Sequence, residues 1–269
     1  MAVHAEFYKH QNLTGNLEAF NLNNNYRYFW IKFGSTLSNE ITSMRGYANG
    51  GFKGNIFTMS NNDFSGKQIS LNMNEGWTSW WNNVGSAFND DIESALIVNR
   101  NYNETVIELR DLILPDFLSA FDEKTKGTPV SRKGDASVFT TYWPGFAPDK
   151  IFVSIEQNLN VEIDWWPDYD AQVRYDIYLY LNSKGNIWGY SYYPAVWVEG
   201  GIFSSKIFNE LYPKLKDGAH ALTEKIQAKL SLFNYKTFRG LYLLPGKQPS
   251  GGFGDFGNTR DNSTLVLVG

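Results

Sequence analysis

The run Gly34-Ser35-Thr36-Leu37-Ser38-Asn39-Glu40-Ile41-Thr42-Ser43 returns as Gly85-Ser86-Ala87-Phe88-Asn89-Asp90-Asp91-Ile92-Glu93-Ser94, at a constant offset of 51 positions and without a gap. A period of that size marks a structural unit that occurs twice. The same offset lays Tyr8, Leu13 and Gly15 over Met59, Phe64 and Gly66, and Phe29-Trp30 over Trp80-Trp81. Each copy then reads as a strand pair closed by a turn that needs Gly, an aromatic pair, a polar loop and a final strand. Those final strands are expected at residues 41–44 and 92–98. Four short strands per copy with turns between them suit a Greek key, and two such units suit a sandwich.

An aromatic, four residues, a second aromatic, one residue and Gly, followed later by Asn/Asp-Asn/Asp-x-x-Ser/Thr-Ser, resembles a microbial βγ-crystallin domain of the calcium-binding kind. The resemblance covers roughly residues 2–99. Each copy departs from the pattern: Leu13 and Met59 replace aromatics, Ser38 stands where Asn or Asp is preferred, and Glu93 where Ser or Thr is. The resemblance implies two cation sites at one end of the sandwich that exchange ligands between copies. Carried over position by position, it nominates Asn39, Thr42 and the main-chain oxygen of Lys9, then Asp90, Glu93 and the main-chain oxygen of Ser60. Asp91 is a nearby carboxylate, and Ser43 and Ser94 are expected to hold the loops by hydrogen bonds.

Calcium accepts about six to eight hard oxygen ligands, and these loops offer carboxylates, an amide, hydroxyls and main-chain carbonyls. Asp90, Asp91 and Glu93 would repel one another without a cation. The first loop has one carboxylate, Glu40, so unequal affinities are expected. The alternative is loops kept for shape alone, as in the vertebrate lens members of the resembled family.

With 269 residues and a repeat confined to the first hundred, the chain is expected to hold two domains: 1–99, βγ-crystallin-like, and 100–269, of α+β type. There is no Cys, which excludes disulfides, thiolate metal sites and Cys nucleophiles. A net charge of −4 without a dense Lys/Arg run offers nothing to nucleic acid. The first residues have neither a basic nor an apolar segment of the Sec-signal kind, so a cytoplasmic location or a non-Sec export route is expected. No apolar run is long enough for a transmembrane helix.

After Arg100, Asn103 or Thr105 is positioned to cap a helix with apolar positions Val106, Leu109, Ile113, Phe117, Leu118 and Phe121, kinked or divided at Pro115. Residues 124–129 read as a loop. From Ser137 to Trp197 the pattern is β-like: a strand over 151–163, alternation over 173–181, a turn at 182–186 and a return over 187–198. A second helical pattern from Ile207 to Leu230 contains Pro213 and Gly218 and should divide there into two helices. Residues 235–244 and 264–268 read as strands around a Gly-rich loop at 246–258. The expected result is an antiparallel sheet with helices on one face.

Catalytic residues are not evident. His4 and His10 fall in the repeat, and His220 reads as a partly buried helix residue. No nucleophile elbow, phosphate-binding loop or zinc motif is present. Glu156, Glu162, Asp164, Asp168, Asp170, Asp176 and Glu199 lie among Trp143, Trp165, Trp166, Trp188 and Trp197, a mixture that sugar hydrolases use but that strand-end caps and core tryptophans also produce. The alternating hairpin over 171–198 would fit a pore-forming insertion, but its outward face is Tyr-rich rather than Ser/Thr-rich, which favours a soluble sheet covered by helices. The expectation is a calcium-binding, two-domain, non-catalytic binding protein of toxin or effector type. Its targets would be protein, glycan or membrane surface. The alternatives are a carbohydrate-active hydrolase and a calcium-stabilised structural protein.

Overall fold

The computed structural model describes residues 3–23, 26–62, 66–86, 88–141, 150–164, 166–245 and 263–269. Phe64, Trp143, Trp165, the loop 246–258 and Ala87 lie outside them. The chain is predominantly β, in antiparallel sheets, with two helices.

The first copy contributes β1 (Val3–His10), β2 (Thr14–Leu22), β3 (Tyr28–Lys32) and β4 (Ser43–Ala48); the second contributes β5 (Gly54–Met59), β6 (Gln68–Met73), β7 (Thr78–Trp81) and β8 (Ser94–Asn99). They form two four-stranded sheets, β2-β1-β4-β7 and β3-β8-β5-β6, so each copy gives its third strand to the other copy's sheet. Both β1–β2 and β5–β6 turns use a glycine at positive φ, Gly15 at 87° and Gly66 at 85°, a region without a penalty for Gly alone. Phe7, Leu37, Ile41, Met44, Ile56, Phe88 and Ile92 lie in the shared core between the sheets. The final strands begin at Ser43 and Ser94, two residues later than expected. Ile41 and Ile92 instead sit in the preceding loops and bury their side chains, so their apolar character reports an anchor and not a strand.

Residues after Arg100 form two further sheets rather than the single one expected. The larger is β10 (Val130–Thr141), β11 (Lys150–Ile163), β12 (Trp166–Leu181) and β13 (Ile187–Ser191), with β14 (Ala195–Val198) also paired to β12. β10 starts seven residues before the expected Ser137, because Gly134 at positive φ and a register shift between Lys133 and Ser137 break its alternation. The turn at Asn182 forms as expected, its side chain accepting from the backbone of Lys184 and Asn186. The return of the 171–198 hairpin is split at Tyr192-Tyr193-Pro194 into β13 and β14.

The other sheet is β15 (Gly240–Pro245), β16 (Ser263–Val268) and β9 (Glu104–Glu108), in the order β15-β16-β9. The segment read as the start of a helix is therefore a strand. Its run Thr105-Val106-Ile107 is β-branched, and residues far away in sequence, Thr264 to Val268, give it a ladder partner. Helix α1 (Leu109–Thr125) follows directly, and α2 (Ser204–Ser231) comes after β14. Neither helix divides as expected. Pro115 and Pro213 lie on exposed faces, so the carbonyls of Asp111 and Asn209 that lose a donor face water. Across both interruptions the buried faces stay in phase, through Ile113, Phe117 and Phe121 in α1 and Leu211, Leu215 and Leu222 in α2. Gly218 gives close approach: Tyr175 Oη lies 3.3 Å from where a Cβ would stand, and the same hydroxyl donates to the Leu215 carbonyl at 2.8 Å.

Both helices pack on one face of the larger sheet, over Val138, Val153, Ile155, Val173, Ile177 and Leu179. Strands β15 and β16 of the three-stranded sheet are buried on both faces, which explains their nearly continuous apolar runs, while edge strand β9 leaves Val106 exposed. Leu241, Leu243, Leu265 and Leu267 join the helix-covered core, while Tyr242, Leu244, Val266 and Val268 pack against Phe57, Met59, Leu96 and Val98 of the second copy. No described helix is long and apolar enough to cross a membrane.

Candidate metal centre

Two loops precede β4 and β8, and they are nearly superimposable in their bonding. In the first, the Leu37 and Ser38 amides donate to the Gly34 carbonyl at 3.0 and 2.8 Å; in the second, Phe88 and Asn89 donate to Gly85 at 3.0 and 2.9 Å. Glu40 N–H then bonds Leu37 O, and Asp91 N–H bonds Phe88 O. Asn39 and Asp90 both have φ of 57°, a left-handed conformation that Asn and Asp tolerate better than other residues with a side chain. The Asn/Asp preference at these positions therefore has a backbone cause besides any ligand role.

The loops interlock. Phe33 N–H donates to Glu93 O at 3.1 Å, and Val84 N–H donates to Thr42 O at 2.8 Å, so each copy's entry strand is tied to the other copy's exit. Within each copy, Thr42 N–H reaches Tyr8 O and Glu93 N–H reaches Met59 O, both at 3.0 Å. Ser43 Oγ donates to His10 O, and Ser94 Oγ to Asn61 O, each at 2.6 Å. These two hydroxyls are committed to main-chain oxygens.

The side chains exchange in the same way. Asn39 Nδ2 donates to Glu93 Oε1 at 2.8 Å, and Thr42 Oγ1 lies 3.4 Å from Asp90 Oδ1. Six of the seven nominated residues therefore divide into two groups. Asp90 and Thr42 stand with Lys9, whose peptide follows the Tyr8 carbonyl bonded by Thr42 and bulges out of the β1 ladder between Tyr8 and His10. Asn39 and Glu93 stand with Ser60, whose peptide follows the Met59 carbonyl in the same way. Asp91 is drawn aside by Lys67, 3.4 Å away, and Glu40 by Lys9 at 3.0 Å. Neither lysine pairing is evident in the sequence, because Lys67 lies beyond a turn and the resemblance concerns only the main-chain oxygen of Lys9.

The donor set suits a hard cation. Thr42 Oγ1 and Asp90 Oδ1 face each other as oxygens, and a half-turn of the Asn39 amide would bring its oxygen to Glu93. Oxygen pairs of this kind are bridged by a proton or a cation. Among the described residues no Lys or Arg makes an ion pair with Asp90 or Glu93, so their charge is open to a cation. Also among the described residues, no three His, Asp or Glu side chains gather as a metal-binding group, so a cation at either position would have to rely on amide, hydroxyl and main-chain oxygens around a single carboxylate.

The acids considered for sugar hydrolysis are distributed. Asp170 is held by Lys133 at 2.7 Å, Asp168 by Asn160 at 2.9 Å, and Asp176 by Ser154 at 2.5 Å and Arg174 at 3.2 Å. Glu162 and Asp164 line a cleft of about 370 Å³ against the start of α2. His220 is exposed, where partial burial was expected, and its ring lies edge-on to Tyr193 at 5.9 Å.

No family model and no curated protein matches the chain. A search of solved structures finds the crystal structure of a lipopolysaccharide binding protein, at 9% identity and a TM-score of 0.19. That match covers 61% of this chain, and the chain spans about half, 48%, of that structure. A likeness of this size carries no inference about fold or ligand.

Proposed function

We propose that residues 1–99 are a calcium-binding Greek-key pair of the βγ-crystallin kind, joined to an α+β region over 100–269, and that the protein acts by binding rather than by catalysis. The single observation that carries the calcium reading is the reciprocal pairing of Asn39 with Glu93 and Thr42 with Asp90 across the two copies, at positions related by the repeat. The strand order, with the third strand exchanged between sheets, supports the Greek-key assignment. Where bound, the cation would supply charge neutralisation and fasten the loops; Asp90, Thr42 and the Lys9 carbonyl would hold one ion, and Glu93, Asn39 and the Ser60 carbonyl the other. Its binding stabilises the folded chain by mass action.

A non-catalytic role for the second region is supported by the engagement of Asp168, Asp170 and the buried Asp176 with polar or basic partners. A toxin or effector role, with a protein, glycan or membrane-surface target, remains the suggestion of the family resemblance. Calorimetry with calcium tests the metal reading. The expected result is two steps of unequal affinity, one lost in both Asp90→Ala and Thr42→Ala. Two unaltered steps in both variants would sink the ligand assignment.

A further inference from the structure

We propose that cation binding is coupled to the seating of the β9–β16–β15 sheet on the second copy, and that the coupling belongs to the Asn39/Glu93/Ser60 position and not to the Asp90/Thr42/Lys9 position. This rests on the calcium reading above and adds to it a distinction between sites that the repeat makes look alike.

The distinction comes from what lies beyond each site. Ser60 and Glu93 directly adjoin Met59 and Ser94, a cross-strand pair at the end of the β5–β8 ladder. Glu93 N–H bonds the Met59 carbonyl, and the Met59 side chain is fully buried against the face of the three-stranded sheet formed by Tyr242, Leu244, Val266 and Val268. Fixing the Ser60 carbonyl and the Glu93 carboxylate on one ion would hold the peptides on either side of Met59. The side chain that meets the three-stranded sheet would be held with them.

At the other site the corresponding residue is Tyr8, paired with Ser43 and bonded by Thr42 N–H. The Tyr8 hydroxyl donates to Glu6 at 2.6 Å on the outer face of the first sheet, and the apolar junction includes no residue of β1 or β4. An ion there orders a face that the three-stranded sheet does not use.

Coupling between two sites is reciprocal: if the ion favours the seated sheet, the seated sheet tightens the ion by the same factor. A contact that is already ordered also lowers the entropic cost of ordering its neighbour. Thus one calcium step should respond to the junction and the other should not.

Hydrogen exchange on the full chain, with and without calcium and with calorimetry on the same samples, tests this. In the wild type, calcium should slow exchange of the 240–245 and 263–268 amides by roughly fivefold or more, the low end of ordinary coupling. Thr42→Ala should keep that slowing. Glu93→Ala should lose it, with Glu93→Gln, which preserves the side-chain shape, guarding against a folding defect by showing a reduced slowing in a chain of native circular dichroism. Reciprocally, Val266→Ala should weaken one calcium step and leave the other. Calcium heats with unchanged exchange in both strands would overturn the coupling and leave the calcium reading standing. Equal slowing in Thr42→Ala and Glu93→Ala would overturn the site distinction. Absence of any calcium heat would overturn both readings.

Discussion

On the outer face of the first copy, the cross-strand pair Glu6↔Arg45 joins Tyr8 and His4 in a hydrogen-bonded network; at the same repeat positions of the second copy the pair is Phe57↔Leu96, buried against the β9–β16–β15 sheet. Tyr8 likewise corresponds to Met59, and Tyr47 to Val98. The inner sides behave differently: Ala5 and Ile56 are both core residues, as are Ile41 and Ile92. The duplication preserved what sets the backbone, namely turns, loop bonds and core anchors. What changed is the outward row, one copy keeping charges that water can reach and the other exchanging them for apolar surface that a neighbouring sheet covers.

The two faces also respond to pH with opposite sign. Burial pushes the Glu6 carboxyl up, but hydrogen bonds from Tyr8, His4 and Arg45 and the Arg45 charge together leave it below its ordinary value. Glu104, at the junction, is pushed above its ordinary value by burial, against the Arg100 charge and hydrogen bonds from Tyr242 and Arg100. A lowered carboxylate stabilises the fold above its unfolded pKa and loses that contribution as pH falls through the folded value. A raised one contributes below the unfolded pKa and loses its contribution as pH rises through the folded value.

The comparison can be broken most forcefully by writing the first copy's residue into the second. Phe57→Glu puts a charge into the junction and should cost about 4 kcal/mol in urea unfolding, from lost packing and an unpaired buried charge. Adding Leu96→Arg, which recreates the Glu6↔Arg45 pair, should recover part of that loss. No recovery would mean that the junction cannot accommodate the first copy's solution. Leu244→Ala removes apolar volume from the covering sheet and should cost about 3 kcal/mol by the same measurement.

Where the copies agree, the effects should agree. Ser43→Ala and Ser94→Ala each delete a hydroxyl bonded to a carbonyl at 2.6 Å, and each should cost about 1–2 kcal/mol. A large difference between them would show that the loops are less equivalent than their bonding. The smallest effects are expected at the two carboxylates. Glu6→Gln should cost about 1 kcal/mol at neutral pH and less as the solution is acidified. The stability of Glu104→Gln relative to wild type should instead rise with pH, read from melting temperatures across the acid range.

Much of the first hundred residues was legible because repetition makes a weak signal appear twice. Gly15 and Gly66, the loop residues Asn39 and Asp90, and the anchors Ile41 and Ile92 all stand out at the common offset. Ile41 and Ile92 nevertheless lie in loops and not in strands, since an apolar side chain signals burial and not the conformation that buries it. Beyond Arg100 the departures from the local sequence pattern have a common cause in distant partners. Thr105-Val106-Ile107 becomes a strand because β16, more than a hundred and fifty residues later, pairs with it, and α2 passes through Pro213 because its buried face continues on both sides. At the candidate site, the pairing of Asn39 with Glu93 and of Thr42 with Asp90 joins residues that the resemblance nominates from opposite copies. The diversion of Asp91 to Lys67 is not legible in the sequence, because it depends on how the β5–β6 turn folds back.

The calcium positions can be tested most directly by diffraction from crystals grown at saturating calcium. Anomalous density should appear between Asp90 and Thr42, with the Asp90 carboxylate, the Thr42 hydroxyl and the Lys9 carbonyl about 2.3–2.6 Å from the ion, and a weaker or equal peak should lie between Glu93 and Asn39. Loops without an ion, with Thr42 Oγ1 still 3.4 Å from Asp90 Oδ1 and Asn39 still donating to Glu93, would contradict the reading.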